Sequence, residues 1–256
     1  MSDVVRYERR GPAAWITLAA PENRNALTAP MLAALTAHVR AALDDDAVRA
    51  LVLTGDGPAF CAGADLKSAG GAAASGTGNP FVALLRMLWE GPKPVVAAVN
   101  GVAFGGGVGL VAAADIAIAV DSAAFAFSEV RIGVIPAMIS VVVLPKIGVH
   151  HGMRLFLTGE TFGAAAARDY GLIHAVVPAA ELTSAVQAEI DAIALGGPNA
   201  VREAKRLVRT VPHLSMDDAF AHTQEKIAAL FSSPEAAEGM MAFAAKRKPS
   251  WAEEEH

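Results

Sequence analysis

Along the chain, short unbroken apolar runs alternate with segments whose apolar residues recur at helical spacing. Val4 to Tyr7 and Trp15 to Leu18 flank Arg9, Arg10, Gly11 and Pro12, a pattern that predicts a hairpin. Pro30 opens a helix whose apolar stripe is Met31, Leu32, Leu35, Val39 and Leu43. His38 lies beside that stripe and reads as a surface or packing residue. ALVLTG (50–55) and PVVAAV (94–99) read as buried strands, with the helical FVALLRMLWE (81–90) between them. DIAIAV (115–120) and AFAFSE (124–129) are again strand-like. Strand, strand, helix, repeated several times, implies a wound α/β architecture.

From Asn199 onward only helical patterns remain. The expected division is therefore a core over residues 1–195 and a helical C-terminal region over 196–256. In VREAKRLVR, the cations Arg202, Lys205, Arg206 and Arg209 share one helical face, the usual mark of a solvated surface. The segment SAGGAAASGTGNP (68–80) reads as a loop of small residues, too short to link domains.

Composition narrows the function classes. The 256 residues are 54% hydrophobic and 18% charged, enough to bury a sizeable core. The net charge of −5, without a long run of one sign, argues against general nucleic-acid affinity. A single cysteine, Cys61, rules out an internal disulfide and suits a reducing compartment. No apolar stretch approaches the roughly 20 residues of a membrane span, and the N-terminal residues carry no apolar signal core. A soluble cytoplasmic protein is the expectation.

One stretch breaks the pattern. NGVAFGGGVGLVAAAD (100–115) places five glycines in an apolar run with no charge before Asp115. No Gly-Lys-Ser/Thr follows, so it is not a P-loop. Gly107, Gly109 and Ala112 fit the spacing of a dinucleotide fingerprint, with Glu129 twenty residues beyond Gly109. Yet Asn100 to Gly106 separate the glycines from the strand that should lead directly into them, and two strand patterns precede Glu129. A glycine run opening a helix instead presents backbone N–H groups at the positive end of the helix dipole. Two such groups aimed at one oxygen form an oxyanion hole. PAFCAGADL (58–66), a turn of small residues after a strand, is the candidate for the second donor.

PAFCAGADL, followed 34 residues later by NGVAFGGGVGL, resembles the enoyl-CoA hydratase/isomerase (crotonase) superfamily. PENRNALT (21–28), FSEVRIGVIP (127–136), FLTGETFGAAAARDYGLIHAVVP (156–178) and AFAAKRKPSW (242–251) extend the resemblance over nearly the whole chain. It implies an α/β spiral of ββα units followed by helices that mediate trimer formation, with two trimers often stacked. It implies an oxyanion hole from the backbone N–H groups of Ala64 and Gly106, and an acid/base at Glu129. Coenzyme A would lie along Ala62, Asp65 and Leu66, with Arg24 and Ala26 beside it. Phe104, Gly105, Pro136 and Ala137 would also be substrate-binding. Phe243 and Lys246 would reach the nucleotide, in some members from a neighbouring subunit. No metal and no separate cofactor are implied, because coenzyme A is part of the substrate.

The chain departs from the family pattern at one point. Hydratases of the family carry a second glutamate three residues after the oxyanion glycine, and Gly109 stands there. A vacancy at Gly109 implies either room for a bulkier acyl branch or water held by weaker partners. One carboxylate suffices for double-bond isomerisation. SEVRIGVIPAMIS, however, is similar to hydratases of branched glutaconyl-type thioesters. The expected activity is hydration of a 2-enoyl-CoA thioester, with double-bond isomerisation as the first alternative. Other coenzyme A thioester chemistry and a non-catalytic acyl-CoA binder follow. Asp65, Asp115 and Asp121 have structural or surface positions rather than the spacing of the missing acid, and His150 and His151 read as surface residues.

Overall fold

The computed structural model describes residues 4–64 and 78–252. Strands β1 (Val5–Arg10) and β2 (Ala13–Leu18) form the expected hairpin, turning at Gly11 with φ +53°. Helix α1 (Ala29–Asp44) starts where the Thr28 side chain accepts a hydrogen bond from the Met31 N–H at 3.2 Å, a standard N-cap. It buries Met31, Leu35, Val39 and Ala42. Beside that stripe, His38 stacks on Tyr7 with ring centroids 5.6 Å apart.

Three ββα units follow: β3 (Ala50–Gly55), β4 (Ala59–Cys61) and α2 (Pro80–Glu90); β5 (Val95–Val99), β6 (Val102–Phe104) and α3 (Gly106–Ala113); β7 (Ile116–Val120), β8 (Ala124–Ala126) and α4 (Ala137–Thr158). In each unit the first strand joins a six-stranded sheet and the second a four-stranded one. With β9 (Thr161–Gly163) and β10 (Ala175–Val177), the sheet orders are β1-β2-β3-β5-β7-β10 and β4-β6-β8-β9. Pairing from β2 through β10 in the larger sheet is parallel. Parallel strands are covered on both faces, which is why β3 and β5 read as unbroken apolar runs. Helices α5 (Ala164–Asp169) and α6 (Leu182–Leu195) complete this part, and α7 (Pro198–Thr210), α8 (Met216–Phe231) and α9 (Pro234–Ala244) follow. No helix among the described residues is long and apolar enough to cross a membrane.

Two expectations are corrected. AFAFSE is not strand throughout: β8 stops at Ala126, and Ser128–Ile132 form a 3-10 turn that carries Glu129. The basic face of α7 is solvated only in part: Arg206 is exposed and Arg202 half-buried, whereas Lys205 and Arg209 turn inward. The Asp115 carboxylate pairs with Lys205 Nζ at 2.8 Å and Arg209 at 2.5 Å, and the three side chains are only 19, 7 and 17% exposed. Lys205 also donates to the Leu88 and Lys93 carbonyls, and the Arg209 guanidinium lies 3.5 Å from the Trp89 ring centroid. Helical spacing alone cannot distinguish cations facing water from cations facing a buried carboxylate. Asp115 itself is structural, as expected, and Asp121 is exposed.

Candidate active site

The site forms where three turns meet, and Asn25 holds the first two together. Asn25 is fully buried and adopts φ +56°, a left-handed conformation that Asn tolerates better than most residues. Its Oδ1 accepts from the Ala20 N–H at 2.9 Å, while Nδ2 donates to the carbonyls of Asp56 (3.0 Å) and Ala59 (2.8 Å). Next to it, the Arg24 carbonyl accepts from the Ala62 N–H, and the Leu27 N–H donates to the Gly63 carbonyl. Leu27 and Ala64 form an isolated parallel bridge. The PENRNALT stretch is thus the frame that shapes the turn ending at Ala64. The half-buried Ala26 and Ala62 lie in this contact, whereas the Arg24 side chain is exposed.

The second glycine stretch packs directly against that turn. Gly63 has φ +90°, and a Cβ there would stand 2.6 Å from the Phe104 carbonyl and 3.3 Å from the Gly106 nitrogen. A Cβ on Gly107 would overlap the Cys61 carbonyl outright. The first turn of α3 therefore lies almost in backbone contact with β4, and only glycines permit that approach. Burial pushes the Cys61 thiol up to about 12, so this cysteine is no nucleophile at neutral pH. Gly106 opens α3, so its N–H is one of the first-turn donors with no partner inside the helix.

Glu129 enters from the third turn. Gly105 has φ +48° and ψ −116°, open only to glycine, and its N–H donates to the Ala126 carbonyl at 2.9 Å. A Cβ on Gly105 would sit 3.0 Å from Glu129 Oε1, so the missing side chain is what lets the carboxyl reach the start of α3. Glu129 Oε2 is buried without a hydrogen-bond partner. Desolvation raises the carboxyl above its ordinary value, opposed by a backbone hydrogen bond.

The space beside Gly109 is not vacant, contrary to expectation. A Cβ there would overlap Ile139 Cγ2 and stand 3.2 Å from Ile139 Cβ and 3.4 Å from Phe81 Cζ. A Cβ on Gly106 would meet Leu27 Cδ1 at 2.8 Å and the same Phe81 Cζ at 3.4 Å. Gly106 and Gly109 share one face of α3, and that face meets Leu27, Phe81 and Ile139, while Gly105, the N-cap, meets Glu129.

The structure thus brings Ala64, Phe104, Gly105, Gly106, Gly109 and Glu129 together. Pro136 is buried and the exposed Ala137 begins α4, two residues before Ile139. Phe243 is 88% exposed, and Lys246 is also exposed. Asp65 and Leu66, with most of the 68–80 loop, lie outside the described residues. Sequence reasoning did not single out Asn25, Leu27, Phe81 or Ile139. For Asn25 there was a signal, an asparagine in a turn-rich stretch. For Ile139 there was none, since its partner lies thirty residues away in the chain.

Comparison with known proteins decides what this geometry belongs to. The family model described as enoyl-CoA hydratase/isomerase matches residues 8–254. The chain belongs to the enoyl-CoA hydratase/isomerase family. Within it, the chain is 35% identical to the carnitinyl-CoA dehydratase of Salmonella arizonae, covering 98% of this chain and 99% of the relative. An enoyl-CoA hydratase from Shewanella pealeana superimposes with TM-score 0.91 at 32% identity, covering 97% of this chain and 96% of that structure. Pseudomonas aeruginosa AtuE superimposes with TM-score 0.91 at 33% identity, covering 98% of this chain and all of that structure (100%). The mixed α/β fold with parallel sheets is that of these neighbours, and the family acts on acyl-CoA thioesters.

Proposed function

We propose that this enoyl-CoA hydratase/isomerase family member hydrates a 2-enoyl-CoA thioester, or runs the reverse dehydration, with Glu129 making both proton transfers. The carrying observation is the buried, unpartnered Oε2 of Glu129 on a carboxyl set against Gly105, adjacent to the Gly106 N–H. The thioester oxygen accepts hydrogen bonds from the N–H groups of Ala64 and Gly106. The Glu129 carboxylate takes a proton from water as the oxygen of that water bonds to the β-carbon. The electron pair of the double bond moves through the α-carbon onto the thioester oxygen, where the two N–H groups stabilise it. The enolate collapses as the α-carbon takes the proton from Glu129, restoring the carboxylate. Relatives named as hydratase and dehydratase support this direction of reading.

Coenzyme A contacts are assigned by family position to Ala62, Asp65 and Leu66 at the first turn and to Arg24 and Ala26 beside them. Phe243 and Lys246 are assigned to the nucleotide from a neighbouring subunit, in a homotrimer or a pair of trimers.

Isomerisation is the second reading, favoured by Ile139 standing where a second acid would be held. One carboxylate can remove a γ-proton and return it at the α-carbon without water. Incubation with 2-enoyl- and 3-enoyl-CoA thioesters in heavy-oxygen water separates the two. Heavy oxygen in a 3-hydroxyacyl product is the expected result; a shifted double bond without label would establish the isomerase.

A further inference from the structure

The glycine face of α3 meets an apolar wall supplied by other elements, and Ile139 is the part of it that competes with position 109. Ile139 is 3% exposed, with Phe81 (7%) and Leu27 (8%) beside the same face. Its Cγ2 methyl occupies the volume into which any side chain at 109 would project, and its Cβ is 3.2 Å from that point. Gly106 and Gly109 are three residues apart, about 4.5 Å along a helix axis. A thioester oxygen held at the Gly106 N–H therefore puts the substituents of its reacting carbons within reach of this wall. Phe81 Cζ spans the interval, since it is 3.4 Å from the Cβ positions of both Gly106 and Gly109.

We propose that Ile139 is the specificity-determining residue of this site: seated in the side-chain space of Gly109, it limits the size of the group carried on the reacting carbons. This rests on the acyl-CoA reading above and adds to it the residue that sets the acyl class. Substrates with small apolar substituents fit, while a polar group against the wall would lose its hydration without gaining a partner. Residues 109 and 139 share one volume, so a change at either alters what the other tolerates.

The test combines thermal melts with binding of saturated, unreactive thioesters: butyryl-CoA, 3-methylbutyryl-CoA and 3-phenylpropionyl-CoA. Gly109→Ala in the native background should lower the melting temperature by about 4–8 °C through overpacking. In an Ile139→Ala background the same change should cost clearly less, because its methyl enters vacated space. Ile139→Ala should also shift the affinity ratio of 3-phenylpropionyl- to butyryl-CoA upward by at least ~10-fold, and Ile139→Phe should shift it downward. Equal melting losses in the two backgrounds would overturn the shared volume. An unchanged affinity ratio in folded variants would overturn the specificity role while leaving the acyl-CoA reading intact. Failure of the native protein to bind any of the three thioesters would overturn that reading and this inference with it.

Discussion

In the proposed reaction Glu129 acts as a base in a place where its charged form is poorly hydrated. Desolvation raises its carboxyl above the ordinary 4.5. The carboxylate is the working form, so kcat/KM should rise with pH along an acid limb whose midpoint lies above that value; a midpoint at or below it would contradict the assignment. A raised carboxyl value also means that the folded chain holds the proton more tightly than the unfolded chain. Its contribution to stability is complete below the unfolded value and is lost as pH rises through the folded one. Glu129→Gln should therefore melt no lower than the native protein at neutral pH. Asn25 is the opposite kind of residue, with every polar atom satisfied. Asn25→Ala strands the Ala20 N–H, removes the donor to the Asp56 carbonyl and leaves the Ala59 carbonyl only the long bond from Asn100 Nδ2, and should cost about 3 kcal/mol or more in a denaturant melt. A loss under about 1 kcal/mol would show that water replaces those bonds. Glu129 was legible because its motif is local. Asn25 was not, because its bonds close loops of 31 and 34 residues that only the fold brings together.

Among the elements, α3 and α7 show what an amphipathic or apolar pattern conceals. The glycines of α3 were legible as backbone donors, but the filling of the space at Gly109 depends on α4, which the α3 pattern does not describe. On α7, Lys205 and Arg209 follow the spacing of surface cations, yet they close on Asp115, whose Oδ2 also accepts from the Val95 N–H at 2.8 Å. Lys146, whose ammonium donates to the neighbouring Ala114 carbonyl, is pushed down to about 8 by burial. The carboxylate is thus the anion that keeps this cation cluster in place. Asp115→Ala leaves Lys205 and Arg209 facing each other without it, and should cost about 3–5 kcal/mol in a denaturant melt. A loss below about 1 kcal/mol, the level of a surface pair, would mean that α7 is held by its apolar contacts instead.

The whole molecule follows the repeated strand, strand, helix pattern, because each unit sends one strand to each sheet and ends on a helix. That plan was legible, since parallel pairing turns β3, β5 and β7 into apolar runs. What a single chain leaves uncovered is equally definite. On α8, Phe220, Ile227 and Phe231 are 62, 50 and 62% exposed, and on α9 Met240 and Met241 are 51 and 58% exposed. Exposed apolar residues of this kind are what the proposed assembly would cover. Light scattering at micromolar concentration should give the mass of a trimer or of two trimers. A stable monomer would contradict the assembly and, with it, the reach of Phe243 and Lys246 to a neighbouring nucleotide site.

The proposed hydration rests on Glu129 moving protons beside the Gly106 donor. Turnover of crotonyl-CoA by the native protein and by Glu129→Gln, with butyryl-CoA affinity measured on the same samples, tests it. The prediction is at least a ~100-fold loss of turnover, the lower end for general acid–base catalysis, with nearly unchanged affinity. Native turnover in a folded Glu129→Gln variant would contradict the account.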